Sequence, residues 1–343
     1  MGEGMNPCRK VGLDVTWRCN WRCTHCFYRW GADLHKHVDT PLDECYAKLT
    51  RAKAGGMNHA VMVGFGEPTL YPQAAALVKM CRTMGLACSM ITNGTAFLDK
   101  YAELFALGLD HVHVSSHATG ETLDAITGDY GAWAKQCVLK AWLGREKLPY
   151  RSNVTIQRLN YAKLPEIVAA DMEQGAWQQV LLGFLPHYEW GTDRDRLREI
   201  AVHPGLIRPY LEEAAFLLLE AGRRFSIRYH PFCHIDESLW PYVTNARYVF
   251  MDPFEWNYTL DARDAGAVWK ASVACGEAAA CPSCKGCAAY RHCGGWNRTY
   301  AAAFDGAGLH HIKKAPAMWE NVWEQDGGLF DLNPTNAHSG TLR

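Results

Sequence analysis

The sequence predicts an α/β fold in which a parallel sheet and its helical crossovers form a partial (β/α)6 barrel. Between residues 11 and 185, short β-branched or apolar runs alternate with longer stretches of helical character. Six such units occur, and glycine or proline marks many of their junctions. Strict alternation of strands and helices implies parallel strands, and six units are too few for a closed eight-stranded barrel.

Each predicted strand is an apolar or β-branched run, and functional side chains are expected at the carboxyl ends of these strands. A helix between the first two strands begins near Thr40 and Pro41 and ends at Gly55. A later helix (206–222) and the strand RFSIRYH (224–230) complete the main body. The six strands of the barrel are VGLDVTW (11–17), HAVMVGF (59–65), LACSMIT (86–92), DHVHVSS (110–116), YRSNVTI (150–156) and QVLLGFL (179–185).

Three regions are predicted along the chain. Residues 8–200 form the partial barrel, residues 201–313 form a cysteine-rich C-terminal extension, and residues 314–343 form a loosely attached tail. The boundary follows a polar, irregular segment, PHYEWGTDRDRLR (186–198), and the periodicity of the sequence fades beyond Pro231.

The composition disfavours a nucleic-acid or membrane partner, and its 14 cysteines need an explanation. A net charge of -1 and a pI near 6.9 disfavour the broad basic face that a nucleic acid would need. No stretch approaches the length of a membrane span and the N-terminus lacks a secretion signal, so a cytoplasmic protein without membrane association is expected. Reducing cytosol does not sustain structural disulfides, so metal ligation is the natural explanation for 14 cysteines.

The first cysteine cluster lies in CNWRCTHC, directly after the first predicted strand. Cys19, Cys23 and Cys26 are spaced by four and three residues. Thiolates are the soft ligands of iron–sulfur clusters, and three of them leave one iron free to bind another molecule. Zinc is the alternative, because His25 or another side chain could complete a tetrahedral site.

At this motif the sequence resembles the radical S-adenosylmethionine (SAM) superfamily, whose CxxxCxxC loop follows the first strand of a partial TIM-like barrel. The resemblance covers roughly residues 8–185 and implies that the three cysteines hold a 4Fe–4S cluster. It further implies that the open iron binds SAM, which is reductively cleaved to a 5′-deoxyadenosyl radical that abstracts a substrate hydrogen. A reducing partner such as a flavodoxin or ferredoxin is expected to supply the electron.

Motifs after the later strands extend the resemblance. VGFGEPTL resembles the family's GGEP motif, which meets the SAM amino group, although Phe65 replaces the first glycine. Gly66 lets the backbone approach closely, and Glu67 can accept from an ammonium group; a plain Gly–Pro turn is the alternative. Leu182 and Phe184 could bracket adenine or equally belong to the barrel core. The full set of implied SAM-binding residues is Gly66, Glu67, Pro68, Asn93, Ser115, Ser116, Asn153, Leu182 and Phe184.

Two histidines flank the end of the fourth predicted strand. His113 and His117 could suggest a metal site, but the cysteine clusters already account for the metal signal. We interpret both as pocket or core residues.

The second cysteine cluster resembles the auxiliary-cluster region of SPASM and twitch enzymes of the same superfamily. Asn297 stands where the longer SPASM pattern continues with another cysteine, so one auxiliary 4Fe–4S cluster is expected rather than two. Cys275 or Cys233 could replace a ligand, and zinc is again the alternative. The leading ligand set is Cys281, Cys284, Cys287 and Cys293.

These features predict an enzyme that oxidises, epimerises or forms a bond in a small molecule such as a sugar, nucleoside or aminocyclitol. Several peptide-modifying relatives carry a peptide-binding domain before the barrel, and the cysteine motif here begins at residue 19. A peptide-modifying maturase is the alternative, and a non-catalytic zinc or iron–sulfur protein is the alternative from another class. The catalytic candidates are Tyr188, Glu189 and Cys233, the last as a hydrogen-atom donor.

Overall fold

Eight parallel strands form one sheet in the computed structural model. The model describes residues 10–26, 39–63, 66–182, 194–244, 282–293, 295–296, 301, 303–306 and 308–314. The strands are β1 Lys10–Asp14, β2 His59–Val63, β3 Ala87–Thr92, β4 His111–Ser115, β5 Tyr150–Thr155, β6 Gln178–Leu182, β7 Arg224–Arg228 and β8 Val243–Thr244. Their order in the sheet follows the chain, and every pairing is parallel. Within the described residues β1 and β8 do not pair with each other, so the barrel is open.

Helices connect successive strands and cover the outside of the sheet. In the first of them, acidic Asp43 and Glu44 lie in the first turn and basic Arg51 and Lys53 in the last, which complements the helix dipole. None of the helices that the structure describes is both long enough and apolar enough to cross a membrane. The helices are α1 Leu42–Ala54, α2 Ala74–Thr83, α3 Leu98–Ala106, α4 Gly120–Thr127, α5 Ala132–Arg145, α6 Leu164–Glu173, α7 Arg194–Ile200, α8 Pro204–Glu220 and α9 Tyr290–Cys293.

The α/β fold and its open, parallel barrel are confirmed, and the sheet is wider than six strands. Each of the six predicted strands overlaps an observed one, and RFSIRYH contains β7. The eighth strand has two residues, too few to produce a periodic signal in the sequence. Helix α8 packs against α6 and β7 pairs with β6, so sheet and helical layer continue beyond residue 200, where the predicted domain boundary stays a prediction.

The two faces of the sheet differ in polarity. On the outer face, residues such as Leu13, Met62 and Val112 are buried under α1, α2 and α3. On the inner face, buried polar residues lie near the amino ends of the strands and pair across the sheet in register. This inner layer contains Lys10, His59, Ser89, His111, His113, Arg151 and Gln178.

Three histidines of this inner layer are neutral because of their surroundings. Burial lowers the pKa of His59, His111 and His113 well below the usual value, and nearby Lys10 and Arg151 act in the same direction. His111 and His113 hydrogen-bond through their Nε2 atoms at 2.9 Å. His113 is therefore a core residue of this inner layer, in the middle of β4.

Candidate active site

The cysteine loop follows β1 and is tied to the end of α4. The backbone N–H groups of Arg22 and Thr24 donate to the carbonyl oxygens of Thr127 and Ile126, at 2.6 and 2.9 Å. Trp21 Nε1 also donates to a carboxylate oxygen of Asp129 at 3.2 Å. These bonds fix an irregular segment without secondary structure of its own. The loop thereby holds its three cysteines at the carboxyl edge of the sheet.

The thiols of this loop suit a cationic occupant. Cys19 is exposed, and Cys23 and Cys26 are half-buried. The protein atoms packed around the Cys19 sulfur raise its pKa to about 12, and the negative charges of Glu67 and Cys26 act in the same direction. A thiolate is costly there unless positive charge compensates it, which metal ligation supplies. The donor set therefore fits an iron–sulfur cluster.

Gly66 brings the turn after β2 into direct contact with the cysteine loop. The Glu67 N–H donates to the Arg18 carbonyl oxygen at 2.6 Å. A Cβ atom on Gly66 would lie 2.7 Å from the carbonyl carbons of Trp17 and Arg18, closer than real Cβ atoms approach backbone. Only glycine permits this approach. The turn is thus more than a Gly–Pro junction between strand and helix.

We expect the substitution Gly66→Ala to displace the cysteine loop. The added methyl group overlaps backbone atoms that cannot rotate away, so the free energy of unfolding should fall by about 1–3 kcal/mol. Iron bound by the first cluster should fall with it, as measured by iron analysis after anaerobic reconstitution. Gly144→Ala is the matched control, because a Cβ there meets a single atom at 4.0 Å. Equal iron in the two variants would contradict this account of Gly66.

Glu67 joins the turn after β2 to the loop after β3. Its Oε1 accepts from the Thr69 N–H at 3.1 Å, from the Thr69 hydroxyl at 2.8 Å and from the Thr92 hydroxyl at 2.7 Å. Its Oε2 accepts from the Asn93 N–H at 2.6 Å. Burial raises the pKa of Glu67, and these hydrogen bonds oppose that shift. Oε2 retains capacity for a further donor.

Asn93 braces the cysteine loop from the side of β3. Its Nδ2 donates to Asn20 Oδ1 at 2.7 Å, and its Oδ1 accepts from the Thr95 hydroxyl at 2.8 Å. The Asn20 Nδ2 donates in turn to Thr95 Oγ1 at 2.9 Å. Asn20 was not predicted as a site residue, and its position between two ligand cysteines was the available signal. The loop after β3 therefore supports the cluster site as well as lining it.

The remaining predicted SAM contacts lie at the carboxyl ends of neighbouring strands. Ser115 ends β4 and pairs in register with Asn153 of β5, and both residues are half-buried. Ser116 Oγ is buried and lacks a hydrogen-bond partner among the described residues. Pro68 is buried and begins a short 3₁₀ helix, Pro68–Leu70. The polar groups thus line one edge of the sheet, as parallel strands require.

For four predicted site residues the structure does not describe the side chain. Leu182 ends β6, beside Thr155 in register, but its side chain is not described. Phe184, Tyr188 and Glu189 lie outside the described residues. Their roles stay predictions.

His117 belongs to the site, together with His25 of the cysteine loop. Their rings meet edge to face at 4.5 Å between centroids. Burial lowers the pKa of His25 to about 4 and that of His117 well below the usual value. The Cys23 sulfur and one nitrogen from each ring all lie within 4.8 Å of one another. Of the two histidines at β4, His117 therefore lines the site, whereas His113 does not.

A second group of cysteines lines one cavity beside the end of β7. Cys233 lies on the 3₁₀ helix Phe232–His234, Cys284 on the 3₁₀ helix Pro282–Gly286, and Cys293 on α9. Backbone N–H groups of Trp296 and Ile312 donate to the sulfurs of Cys284 and Cys287, at 3.4 and 3.2 Å. Such donors stabilise thiolates. The cavity is lined by Cys233, Cys284, Cys287 and Cys293.

These four sulfurs are close enough to influence one another. Burial raises the pKa of Cys293 to about 12, with Cys233 and Cys284 acting in the same direction. Four convergent thiols are a donor set that suits a 4Fe–4S cluster or zinc. Cys281 lies outside the described residues.

Known proteins resemble this chain mainly over the barrel. Residues 13–141 match the family model of the Radical SAM superfamily. The chain is 31% identical over 193 residues to a PqqA peptide cyclase of Methylocella silvestris, covering 54% of this chain and 50% of that protein. It is 31% identical over 166 residues to a pre-heme d1 synthase of Dinoroseobacter shibae, covering 47% of this chain and 40% of that protein. The chain thus spans about half the length, or less, of these relatives.

A solved structure supports the fold. Streptococcus suis SuiB, bound to its precursor peptide SuiA, superposes with a TM-score of 0.53 at 16% identity, over 65% of this chain and 49% of that chain. The family match contains the cysteine loop, the turn at Gly66 and the loops after β3 and β4. The match to the Radical SAM superfamily therefore lies on residues 13–141 of the open parallel barrel, which contain these site loops.

Proposed function

We propose that this protein is a radical SAM enzyme that modifies a peptide. The observation that carries the SAM-dependent activity is the contact between the Gly66 turn and the cysteine loop. It sets a buried carboxylate, Glu67, beside the cysteine loop, in which a thiolate at Cys19 needs a compensating cation. A structural zinc site would not require this carboxylate or the polar groups at the ends of four strands.

Different residues of the chain are proposed to bind the cluster and SAM. When bound, the cluster and SAM supply a 5′-deoxyadenosyl radical through reductive cleavage of the sulfonium. Glu67 offers Oε2 to an ammonium group, and Ser116 offers a buried hydroxyl at the end of β4. The ligands to iron are Cys19, Cys23 and Cys26, and the proposed contacts to SAM are Glu67, Asn93, Ser115, Ser116 and Asn153.

A second 4Fe–4S cluster is proposed in the cavity beside β7. The proposed ligands are Cys233, Cys284, Cys287 and Cys293. Cys281, which the spacing predicts as a ligand, lies outside the described residues, and its role stays a prediction. A thiolate bound to iron has no S–H hydrogen to donate, so this role excludes Cys233 as a hydrogen-atom donor. Reduced flavodoxin or ferredoxin is proposed as the electron source for the first cluster.

The peptide substrate is supported by relatives rather than by the sequence argument. PqqA peptide cyclases match more than half of this chain. The sequence argument for a small molecule depended on where the chain begins, which says nothing about what enters the barrel. The relatives therefore favour the peptide over the small molecule. A small molecule stays the second candidate, because the pre-heme d1 synthase is equally identical over a shorter stretch.

The substrate class can be tested by measuring 5′-deoxyadenosine formation with reconstituted protein, SAM and dithionite. One arm adds the PqqA peptide and a pool of ribosomal precursor peptides, and the other adds a pool of sugar nucleotides, nucleosides and aminocyclitols. We expect the peptide arm to stimulate deoxyadenosine formation and to yield a peptide of changed mass. The Cys19→Ala, Cys23→Ala, Cys26→Ala variant sets the background. Stimulation by the small-molecule pool alone would reverse the order of the two candidates.

A further inference from the structure

His117 is held in one tautomer by the backbone of β5. Its Nδ1 accepts a hydrogen bond from the Thr155 N–H at 3.2 Å. A backbone amide can only donate, so Nδ1 carries a lone pair there and no proton. The proton of the neutral ring is therefore on Nε2. Asn160 Nδ2 donates to the His117 carbonyl oxygen at 2.7 Å and fixes the residue further.

His25 is held in the same tautomer as His117, in this case by the side chain of Gln157. Its Nδ1 lies 2.9 Å from Gln157 Nε2. The amide oxygen of Gln157 accepts from the Thr24 hydroxyl at 2.8 Å, which turns the amide nitrogen toward His25. The His117 ring is buried and the His25 ring half-buried beside Cys23. Both present an Nε2–H group on the side that Nδ1 does not use.

This arrangement does not suit histidine as a metal ligand. A ligating imidazole offers a lone pair to the metal, and its other nitrogen donates its proton to an acceptor. Here the other nitrogen accepts instead. The cluster Cys23–His25–His117 has the spacing of a metal site but the proton arrangement of a pair of hydrogen-bond donors.

We propose that His117, assisted by His25, donates an N–H···S hydrogen bond to the Cys23 thiolate and thereby raises the reduction potential of the first cluster. The inference rests on the proposed function, because it requires a cluster on Cys23. Hydrogen bonds to sulfur are among the factors that set cluster potentials. Reduction adds negative charge to the cluster and its sulfurs, so an N–H donor stabilises the reduced form more than the oxidised form. His117 is thus a positioning residue that acts through Cys23.

The test is a redox titration of the first cluster, followed by electron paramagnetic resonance, in three variants. His117→Phe removes the donor and keeps a ring, His117→Gln retains an N–H donor, and His113→Phe changes a buried histidine of β4 outside the Cys23–His25–His117 group. For His117→Phe we expect about a tenfold drop in the ratio of reduced to oxidised cluster when the solution potential is held constant. For a one-electron couple this corresponds to about 59 mV. The other two variants should titrate like the natural sequence.

The outcomes separate the inference from the function on which it rests. An unchanged potential in His117→Phe, or an equal drop in His113→Phe, would overturn the hydrogen bond and leave the radical SAM function standing. Absence of iron from the natural protein would overturn both. If His117→Phe fails to bind a cluster, nitrogen-15 NMR of His117 in the natural, cluster-free protein decides the point. A protonated Nε2 supports the inference and a protonated Nδ1 contradicts it.

Discussion

Replacing Cys19, Cys23 and Cys26 together with alanine is expected to lower bound iron from about eight atoms per chain to about four and to abolish 5′-deoxyadenosine formation. Each 4Fe–4S cluster needs its own thiolate ligands, so loss of one ligand set removes one cluster. Iron, sulfide and zinc analysis after anaerobic reconstitution measures the first effect. Chromatography of SAM products measures the second.

A matched control uses three cysteines of the core. Cys45 lies on α1, Cys81 on α2 and Cys88 on β3, and all three are buried in the apolar layer between these helices and the sheet. Their joint replacement by alanine should leave iron content and deoxyadenosine formation unchanged. Zinc without iron in the natural protein would instead identify a zinc protein and refute the radical SAM activity.

The second large effect is expected at Cys233. The substitution Cys233→Ala should lower the bound iron from about eight atoms toward four, because a second cluster left with three thiolates has one iron open to solvent and is lost more readily. Deoxyadenosine formation without substrate should persist, since the first cluster is intact. Iron analysis and the electron paramagnetic resonance of the reduced protein report on the two clusters.

Two other cysteines make this experiment decisive. Cys137→Ala changes a half-buried thiol of α5 outside both groups and should retain all the iron. Cys281→Ala tests the ligand set expected from spacing alone, and we expect it to retain the second cluster. Loss of iron in Cys281→Ala but not in Cys233→Ala would restore the original ligand set and free Cys233 for another role.

The barrel was predictable because its signals are local. A strand of β-branched residues followed by a helix can be recognised within about fifteen residues, as at β2 and α2. The cysteine loop and the Gly66 turn were predictable for the same reason, since each is a short motif next to a strand. The two-residue strand β8 carries no such signal, because its pairing with β7 depends on the path of the intervening chain.

The contacts that complete the site were not predictable, because they join distant parts of the chain. Asn20 and Asn93 are 73 residues apart, and His25 and Gln157 are 132 apart. Cys233 lines a cavity with cysteines about fifty residues further along the chain, and the sequence indicated it only as a possible replacement ligand. His113 and His117 look alike in sequence, but only the fold places one in the polar inner layer and the other beside Cys23.

The hydrogen bonds around Glu67 also bear on how the enzyme releases its products. Glu67, Asn93 and Asn20 tie the turn after β2, the loop after β3 and the cysteine loop into one rigid body. Displacing the loop after β3 would break the hydrogen bonds from Thr92 and Asn93 to the Glu67 carboxylate, and a bond to a charged group contributes about 1.5–3 kcal/mol. Displacing the cysteine loop would break its bonds to Glu67 N–H and Asn93. Opening and closing around substrate must then be done by other parts of the chain. In many enzymes such gating limits turnover, so the rate of product release should depend on segments far from the iron.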